Sequence, residues 1–425
     1  MVNWQKTVWH YFILLVSGAF VGVILLMMVY LLPEERMKDH AAESLDVFLN
    51  EGPSYKFLPD VVVTRLDNYS DALMINTAIY EGNENVLVKA MAANQYTYQT
   101  GTAFDATVRY LSNEKGEMTE SYARYWHGYL VLLKPLLCIF NYKEIRLLNI
   151  FVQIFLTGWF VVLMIERGMK QYIKAFFACL FIIMPFTIFL CMHYLQVYFV
   201  TLLAMIFFLI YYEKICKREW LVEFYFVVGM LTCYFDLLTY PIIALGFVLL
   251  LQILLERNLV ISYKKKIVKM FQSIFSWCIG YLGIWGAKWV LATVILRENI
   301  VKDAILSVLY RSSSESSDSG VIDEFSRWDA LKRNLSLLNN KIFIAGMLLF
   351  VAAIFLQILR NKRVFINRGL IVQVIIVMAL PVGWMLALAN HSYVHYWMTY
   401  KNFAITFLGF GILLTACTEP YEKMR

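Results

Sequence analysis

Long uninterrupted apolar runs constrain this chain more than any other feature of its sequence. An α-helix needs about 20 apolar residues to cross about 30 Å of hydrocarbon. Hydrophobic residues make up 60% of the chain and charged residues only 16%, whereas soluble domains are about a quarter charged. The sequence therefore predicts an all-α polytopic membrane protein with about ten transmembrane helices. The runs lie near 11–32, 146–165, 175–192, 196–212, 221–238, 240–255, 271–294, 341–359, 369–389 and 397–416.

Two polar segments interrupt these runs and are long enough to hold structure of their own. Residues 33–127 include the helix-like, amphipathic stretch PEERMKDHAAESLDVFLNEG, and residues 296–340 include a second one, VIDEFSRWDALKRN. The apolar stretch 129–140 is too short to span, which favours a re-entrant or interfacial helix. No internal repeat is visible, so we expect residues 1–425 to form a single membrane domain with two large loops bearing amphipathic helices.

The basic residues of the short loops predict an orientation. ERGMKQYIK, EKICKREW, ERNLVISYKKKIVK and LRNKRVFINR are rich in lysine and arginine, whereas the alternate turns CMHYLQ, DLLTYP and NHSYVH contain neither. Positive-inside counting places the basic loops and both termini in the cytoplasm and both large loops outside. The net charge of +7 reflects this topology, so we expect the lipid bilayer as a partner and no nucleic acid. A bacterial plasma membrane is the expected location.

The first candidate site is the stretch RLDNYSDALMIN, where Asp67 and Asp71 lie one helical turn apart. Asp67 or Ser70 is a suitable N-cap for a helix that follows. A partly desolvated carboxylate outside the membrane could instead be a general base for an acceptor hydroxyl or amine. A carboxylate pair could also hold a divalent cation. The sequence leaves these three roles open, and no cofactor is certain.

A second candidate site is cationic. YARYWHGY contains Arg124 and His127, and Lys134 and Arg146 follow at about the same predicted membrane depth. One interpretation is an interfacial belt in which aromatic rings lie at the headgroups and cations meet lipid phosphate. The other is a clamp for the phosphate of a lipid-linked substrate, because arginine suits bidentate phosphate contact.

Polar residues also gather at the predicted outward ends of the spans. Ionisable residues at such depth are costly and usually face a cavity. They lie on one side, with almost no counterpart on the cytoplasmic half, which indicates one outward-facing polar site rather than a path through the membrane. The residues are His193, Gln196, Asp236, His391, His395, Tyr400 and Lys401.

This layout resembles the GT-C superfamily of membrane glycosyltransferases, which includes protein mannosyltransferases, oligosaccharyltransferase catalytic subunits and aminoarabinose transferases. The topology is similar over the whole chain. In sequence, the resemblance depends on LDNYSDALMIN, YARYWHGYLVLLKPLL, YFDLLTYP and HSYVHYWMTYK. It implies an inverting transfer of a sugar from a polyprenyl-phosphate carrier to an envelope glycan, lipid or protein acceptor on the outer face.

The resemblance also implies that an aspartate of the first outer loop is the catalytic base. Asp67 matches best and Asp71 second, but about thirty residues separate the first span from Asp67, whereas many members place the acidic motif directly after the span. Glu34 and Glu35 lie nearer and stay open as alternatives, although they suit the first turn of a helix. Arg124, His127, Lys134, Arg146, Asp236, His391, His395 and Lys401 are the expected substrate-binding residues.

Three other functions fit the same pattern. A lipid-linked oligosaccharide polymerase or ligase also needs outward cations but need not depend on a first-loop aspartate. A polytopic transporter or flippase is favoured if polar residues line a path through the full depth of the membrane. A non-catalytic envelope assembly protein would tolerate substitution of Asp67 and of the basic cluster.

Overall fold

Helices make up nearly all of the fold. A computed structural model describes residues 4–259, 261–316, 323–361 and 368–417. The helices are α1 Trp4–Val29, α2 Glu34–Ala42, α3 Leu45–Glu51, α4 Asn68–Ala78, α5 Val86–Ala92, α6 Ala103–Leu111, α7 Leu130–Leu137, α8 Tyr142–Glu166, α9 Ile173–Ile183, α10 Pro185–Leu190, α11 Met192–Lys217, α12 Leu221–Phe235, α13 Ile242–Glu256, α14 Tyr263–Leu296, α15 Ile300–Arg311, α16 Arg327–Ser336, α17 Lys341–Asn361, α18 Arg368–Met378, α19 Leu380–Ala387, α20 Ala389–Val394, α21 Tyr396–Thr399 and α22 Ala404–Cys417.

Two short antiparallel strand pairs accompany the helices. Strand β1 (Gln95–Thr97) pairs with β2 (Met118–Glu120), and β3 (Glu315–Ser316) pairs with β4 (Asp323–Glu324). Single 3-10 turns lie at Val62–Thr64, Lys170–Tyr172 and Tyr400–Phe403. The all-α class predicted from the sequence is therefore confirmed.

Five helical segments of the described chain are long and apolar enough to cross a membrane. Leu221–Phe235, Ile242–Glu256 and Phe343–Ala353 are apolar but shorter. The count of ten spans thus stays a prediction. The five long segments are Gln5–Val29, Tyr142–Glu166, Met192–Lys217, Tyr263–Leu296 and Arg368–Ala387.

The predicted span 175–192 is broken in the middle. Helix α9 ends at Ile183, Met184 has a left-handed backbone with φ of 53°, and α10 begins at Pro185. Proline disfavours the helical conformation in the residue before it and lacks the N–H that would continue the hydrogen-bond ladder. The run is therefore apolar throughout but not one helix.

Helices α12 and α14 approach each other closely at two glycines. A Cβ on Gly280 would lie 2.0 Å from the carbonyl oxygen of Phe226, and a Cβ on Gly229 would lie 2.2 Å from that of Trp277. The two helices run antiparallel, since Phe226 meets Gly280 and the later Gly229 meets the earlier Trp277. Small residues let helix backbones approach closely in membrane proteins.

The first large loop folds against the helices that follow it. Lys134 of α7 donates to the carbonyl oxygen of Ala78 at the end of α4, at 2.6 Å. Arg146 of α8 binds Glu51 of α3 through both terminal nitrogens, at 2.8 and 3.0 Å. The loop is thereby fixed to the beginning of α8, and the predicted short helix in 129–140 is present as α7.

The second large loop packs on the region after α19. Helix α16, which lies in the predicted amphipathic stretch, begins with a capping box formed by Ser326 and Asp329. The side chain of Asn334 donates to the carbonyl oxygen of Ser392 at 2.7 Å, and its amide oxygen accepts from Thr399 at 2.7 Å. These bonds tie the second loop to α20 and α21. The tract 312–320, which we expect to be mobile or a lid, lies partly outside the described residues.

Candidate active site

Asp67 is the N-cap of α4. Its Oδ1 accepts a hydrogen bond from the backbone N–H of Ser70 at 3.3 Å, and its Oδ2 accepts one from the Ser70 hydroxyl at 3.0 Å. Aspartate is a favoured N-cap because it satisfies an N–H that the helix leaves unpaired. The capping role predicted from the sequence is confirmed.

The same carboxylate also binds a histidine from a distant part of the chain. Nδ1 of His193 lies 3.0 Å from Oδ2 of Asp67, and each residue exposes only 4% of its surface. Burial alone raises the pKa of Asp67, but the hydrogen bond and charge of His193 outweigh it, so the net pKa is lowered. Asp67 is therefore a carboxylate at neutral pH.

Asp71 has a different environment, although it follows one turn later. It caps the N-terminus of α11, since its oxygens accept from the backbone N–H groups of Met192 at 2.9 Å and His193 at 2.8 Å. The Tyr142 hydroxyl donates to it at 2.5 Å and the Cys191 thiol at 3.4 Å. A negative charge is favoured at a helix N-terminus. Asp71 thus holds α4 against α11, and it is fully buried.

This donor set does not fit a divalent cation bound between the two aspartates. Cations such as Ca²⁺ and Mg²⁺ need several free oxygen ligands around one point. The Asp71 oxygens receive four hydrogen bonds, and Asp67 receives three. Within the described ranges, no group of three or more acidic, histidine or cysteine side chains is arranged to hold a metal.

Residues from three predicted outward turns meet near the Asp67–His193 pair. Electrostatic interactions join His193 to Asp236, His391 and His395. Burial, together with the charge of its neighbour Arg311, lowers the pKa of His395 to about 3. Burial also lowers the pKa of His391. His391 and His395 are therefore neutral. The cluster brings together predicted site residues from widely separated segments of the chain.

Arg311 is the main cation of this cluster. Its Nη1 donates to Nε2 of His395 at 2.6 Å and lies 3.5 Å from Nδ1 of His391. Among the described residues, no carboxylate forms an ion pair with Arg311. The group is half-buried. Within the described ranges, this guanidinium therefore keeps N–H donors that could bind an anion.

Arg65 provides a second guanidinium beside Asp67. Its charge lowers the pKa of Asp67, and its guanidinium lies 4.0 Å from the ring centre of Trp397. Its Nε is buried without a hydrogen-bond partner. In the part of the chain that the structure describes, Arg65 also forms no ion pair within hydrogen-bonding reach.

Asp236 closes a turn directly after α12. Its carboxylate accepts from the backbone N–H of Thr239 at 2.9 and 3.1 Å and from the Thr239 hydroxyl at 2.6 Å. It is buried, with 2% of its surface exposed. Asp236 shapes the wall of the cluster through this turn.

The predicted cationic cluster around YARYWHGY does not gather at one point. Arg124 pairs with Asp303 of α15 at 3.0 Å. Both ring nitrogens of His127 have partners, the Tyr129 hydroxyl at 3.0 Å and the Tyr122 carbonyl oxygen at 2.9 Å. Burial lowers the pKa of His127 to about 3, so this imidazole adds no positive charge at neutral pH.

Three further predicted substrate-binding cations are engaged by the protein itself. The ammonium of Lys134 binds the carbonyl of Ala78, as described above. Arg146 binds Glu51 and also donates to Oδ1 of Asn68 at 2.9 Å. Lys401 donates to the carbonyl oxygen of Ile183 at 2.7 Å and to the Thr187 hydroxyl at 3.0 Å.

The alternative acidic residues after the first span lie on α2. Glu34 pairs with Lys89 of α5 at 3.0 Å, and Glu35 is exposed. Both belong to the first turn of the helix. Neither has the buried histidine partner that Asp67 has, and this difference supports the preference for Asp67.

Sequence reasoning missed three members of the cluster as site residues. His193 was expected only as one of several outward polar residues, and Arg65 and Arg311 were not singled out. Arg65 lies two positions before Asp67, and Arg311 ends α15. In sequence, neither arginine differs from an ordinary loop cation. Only the contact of Arg311 with His395 and the proximity of Arg65 to Asp67 distinguish them. No family model, no curated protein and no solved structure matches this chain.

Proposed function

We propose that the chain is a membrane glycosyltransferase that moves a sugar from a polyprenyl-phosphate carrier to an envelope glycan, lipid or protein acceptor on the outer face. One observation carries the proposal. A buried Asp67–His193 pair lies in the same cluster as Arg311, a guanidinium without a carboxylate partner among the described residues. Basic and cationic groups at one site suit a reaction that removes a proton and releases a phosphate.

The donor phosphate would bind at the cationic end. Among the described residues, no group accepts from the remaining N–H donors of Arg311, and Arg65, beside Asp67, adds a second positive charge. Because Nε2 of His395 accepts from Arg311, its Nδ1 carries the ring proton and is a further donor. We favour these residues over Lys134, Arg146 and Lys401, whose polar atoms already bind protein groups.

The sugar would lie between the Asp67–His193 pair and Arg311. Negative charge develops on the leaving phosphate oxygen in the transition state, so fixed cations there lower the barrier. The acceptor would approach from the Asp67 side and attack the anomeric carbon opposite the phosphate. Displacement in one step from the opposite face inverts the anomeric configuration.

A deletion strain tests this function. Envelope glycan composition should lose one sugar on deletion and regain it with the wild-type gene. Arg311→Gln should restore it poorly, by about tenfold to a hundredfold less, because a charged hydrogen bond contributes about 1.5–3 kcal/mol. Arg109→Gln is the matched control, since Arg109 is an outer-loop arginine paired with Glu114 at 2.7 Å. A glycan unchanged by deletion would refute the proposal.

A lipid-linked oligosaccharide ligase is the second candidate. The Arg311 cluster favours it as well, because both reactions release a lipid phosphate beside fixed cations. The two differ in their need for Asp67. Loss of a single sugar indicates the transferase, whereas loss of a whole polymer with its precursor retained on lipid indicates the ligase.

A further inference from the structure

We infer that His193, oriented by Asp67, is the group that takes the acceptor's proton, and that Asp67 is its positioning partner. The inference rests on the proposed transfer reaction and names a residue for its proton step. It starts from the two atoms that join the pair, Nδ1 of His193 and Oδ2 of Asp67, 3.0 Å apart.

Asp67 is poorly placed to take the proton itself. Its Oδ2 receives hydrogen bonds from both the Ser70 hydroxyl and His193, and its Oδ1 receives the Ser70 N–H. A carboxylate that accepts several hydrogen bonds has a lowered pKa, and the pKa of Asp67 is lowered. Such a group is a weak base and a good partner for an imidazolium.

His193 has the complementary arrangement. Its Nδ1 faces a carboxylate, which fixes the tautomer in which Nδ1 carries the proton and Nε2 has the lone pair. No protein group within the described ranges hydrogen-bonds to Nε2. The backbone is equally fixed, because the His193 N–H donates to Asp71 at 2.8 Å.

The surroundings determine how readily the ring accepts a proton. Negative groups near His193 are Asp67, Asp71 and Asp236, and they favour the imidazolium. Positive charge comes from Arg65, beside Asp67, and from Arg311, which binds His395, while the neighbouring imidazoles of His391 and His395 are neutral. The titratable groups that interact electrostatically with the ring are Asp67, Asp71, Asp236, His391 and His395. Arg65 interacts with Asp67, and Arg311 interacts with His391 and His395.

The acceptor's O–H or N–H bond breaks and its proton goes to Nε2 of His193, which becomes an imidazolium paired with the Asp67 carboxylate. The acceptor atom forms a bond to the anomeric carbon. The bond from that carbon to the phosphate oxygen breaks, and its electron pair leaves with the phosphate towards Arg311. No oxidant or reductant is needed.

Glycan synthesis by His193→Ala in the deletion strain is the first test. We expect the glycan to fall at least about a hundredfold, the usual contribution of a general base. His10→Asn, a change at a histidine of α1 paired with Glu223, should leave it unchanged. Imidazole added to membranes of the His193→Ala strain should restore part of the synthesis, because it replaces the missing base.

Imidazole should not restore synthesis in Asp67→Asn membranes, where His193 is still present. Full synthesis by His193→Ala overturns the inference, as does loss of synthesis that imidazole never restores in folded protein. If His193→Ala does not accumulate, a second experiment tests the inference. It measures the accessibility of Nε2 of His193 by diethyl pyrocarbonate modification of the purified wild-type protein.

Modification of His193 should proceed, whereas His127, with both ring nitrogens hydrogen-bonded, stays protected. The rate of His193 modification should be measured between about pH 5 and 8. The midpoint of this pH profile should move to lower pH in Asp67→Asn, because the carboxylate stabilises the imidazolium. A His193 as protected as His127 contradicts the inference. The two proposals fail separately: an unaffected glycan on deletion refutes the transferase, whereas a glycan lost in Asp67→Asn but kept in His193→Ala refutes only the proton role of His193.

Discussion

Oδ1 of Asp71 accepts a hydrogen bond from the backbone N–H of His193 at 2.8 Å. The first-loop aspartate that does not touch the His193 ring therefore fixes the backbone that carries it. The other aspartate, Asp67, binds the His193 ring. Two carboxylates one turn apart on α4 thus position the same residue of α11 in two different ways, which explains why both lie in this polar segment.

Asp71→Asn should destabilise the protein while leaving Asp67 in place. The amide keeps one acceptor but turns an N–H₂ group towards backbone donors, so we expect a loss of about 2–4 kcal/mol in the free energy of unfolding. Tyr142→Phe removes one donor only and should cost about 1–2 kcal/mol. Thermal unfolding of the purified protein in detergent gives the comparison. An Asp71→Asn protein as stable as the wild type would show that this cap contributes little.

Arg146 should be irreplaceable by lysine. Its two terminal nitrogens bind Glu51 and Asn68 together, and a lysine ammonium cannot reproduce this planar fork. We expect Arg146→Lys to cost about 1–3 kcal/mol, below the cost of breaking a fully buried pair because Glu51 is partly exposed. A double-mutant cycle with Glu51→Gln measures the coupling. Additive effects of the two changes would contradict a direct interaction.

Stability should depend on pH through Lys134. Burial lowers its pKa from 10.5 to about 8, so the unfolded chain binds more protons than the folded one between these values. Stability contributed by this group therefore rises as pH increases from about 8 to 10.5, by at most about 3 kcal/mol. Lys134→Met should lack this rise. Parallel pH profiles of the two proteins would show that Lys134 keeps its ordinary pKa.

Gly280→Ala should weaken the contact between α12 and α14. The added Cβ would meet the Phe226 carbonyl oxygen at 2.0 Å, and a backbone atom cannot move aside as a side chain can. We expect a loss of about 1–3 kcal/mol. Gly286→Ala in the same helix is the control, because no described atom would lie within 4 Å of the added Cβ. Equal unfolding temperatures for the two variants would refute the close approach.

The parts of the fold that depend on local composition could be predicted from the sequence. Helices α1, α8, α11 and α14 follow from apolar runs long enough to span. Asp67 as an N-cap follows from its position before a helical pattern with Ser70 three residues later. The break at Met184 was also readable, because Pro185 lies inside the run, but apolar composition hides it when length alone is counted.

The site depends on long-range contacts that no local pattern contains. Asp67 and His193 are 126 positions apart, and Arg311 meets His395 from a different loop. The sequence shows only that polar residues gather at one predicted side. Whether a lysine or arginine there faces a substrate or a helix end depends on packing, as Lys134 and Lys401 illustrate by binding backbone carbonyl oxygens.

We propose that Asp67 takes part in a sugar transfer. The most direct measurement is the envelope glycan composition of a deletion strain complemented with the wild-type gene or with Asp67→Asn at equal protein level. We expect one sugar to disappear on deletion, to return with the wild type and to stay absent with Asp67→Asn. Full restoration by Asp67→Asn, with the variant present as folded protein, would contradict the claim.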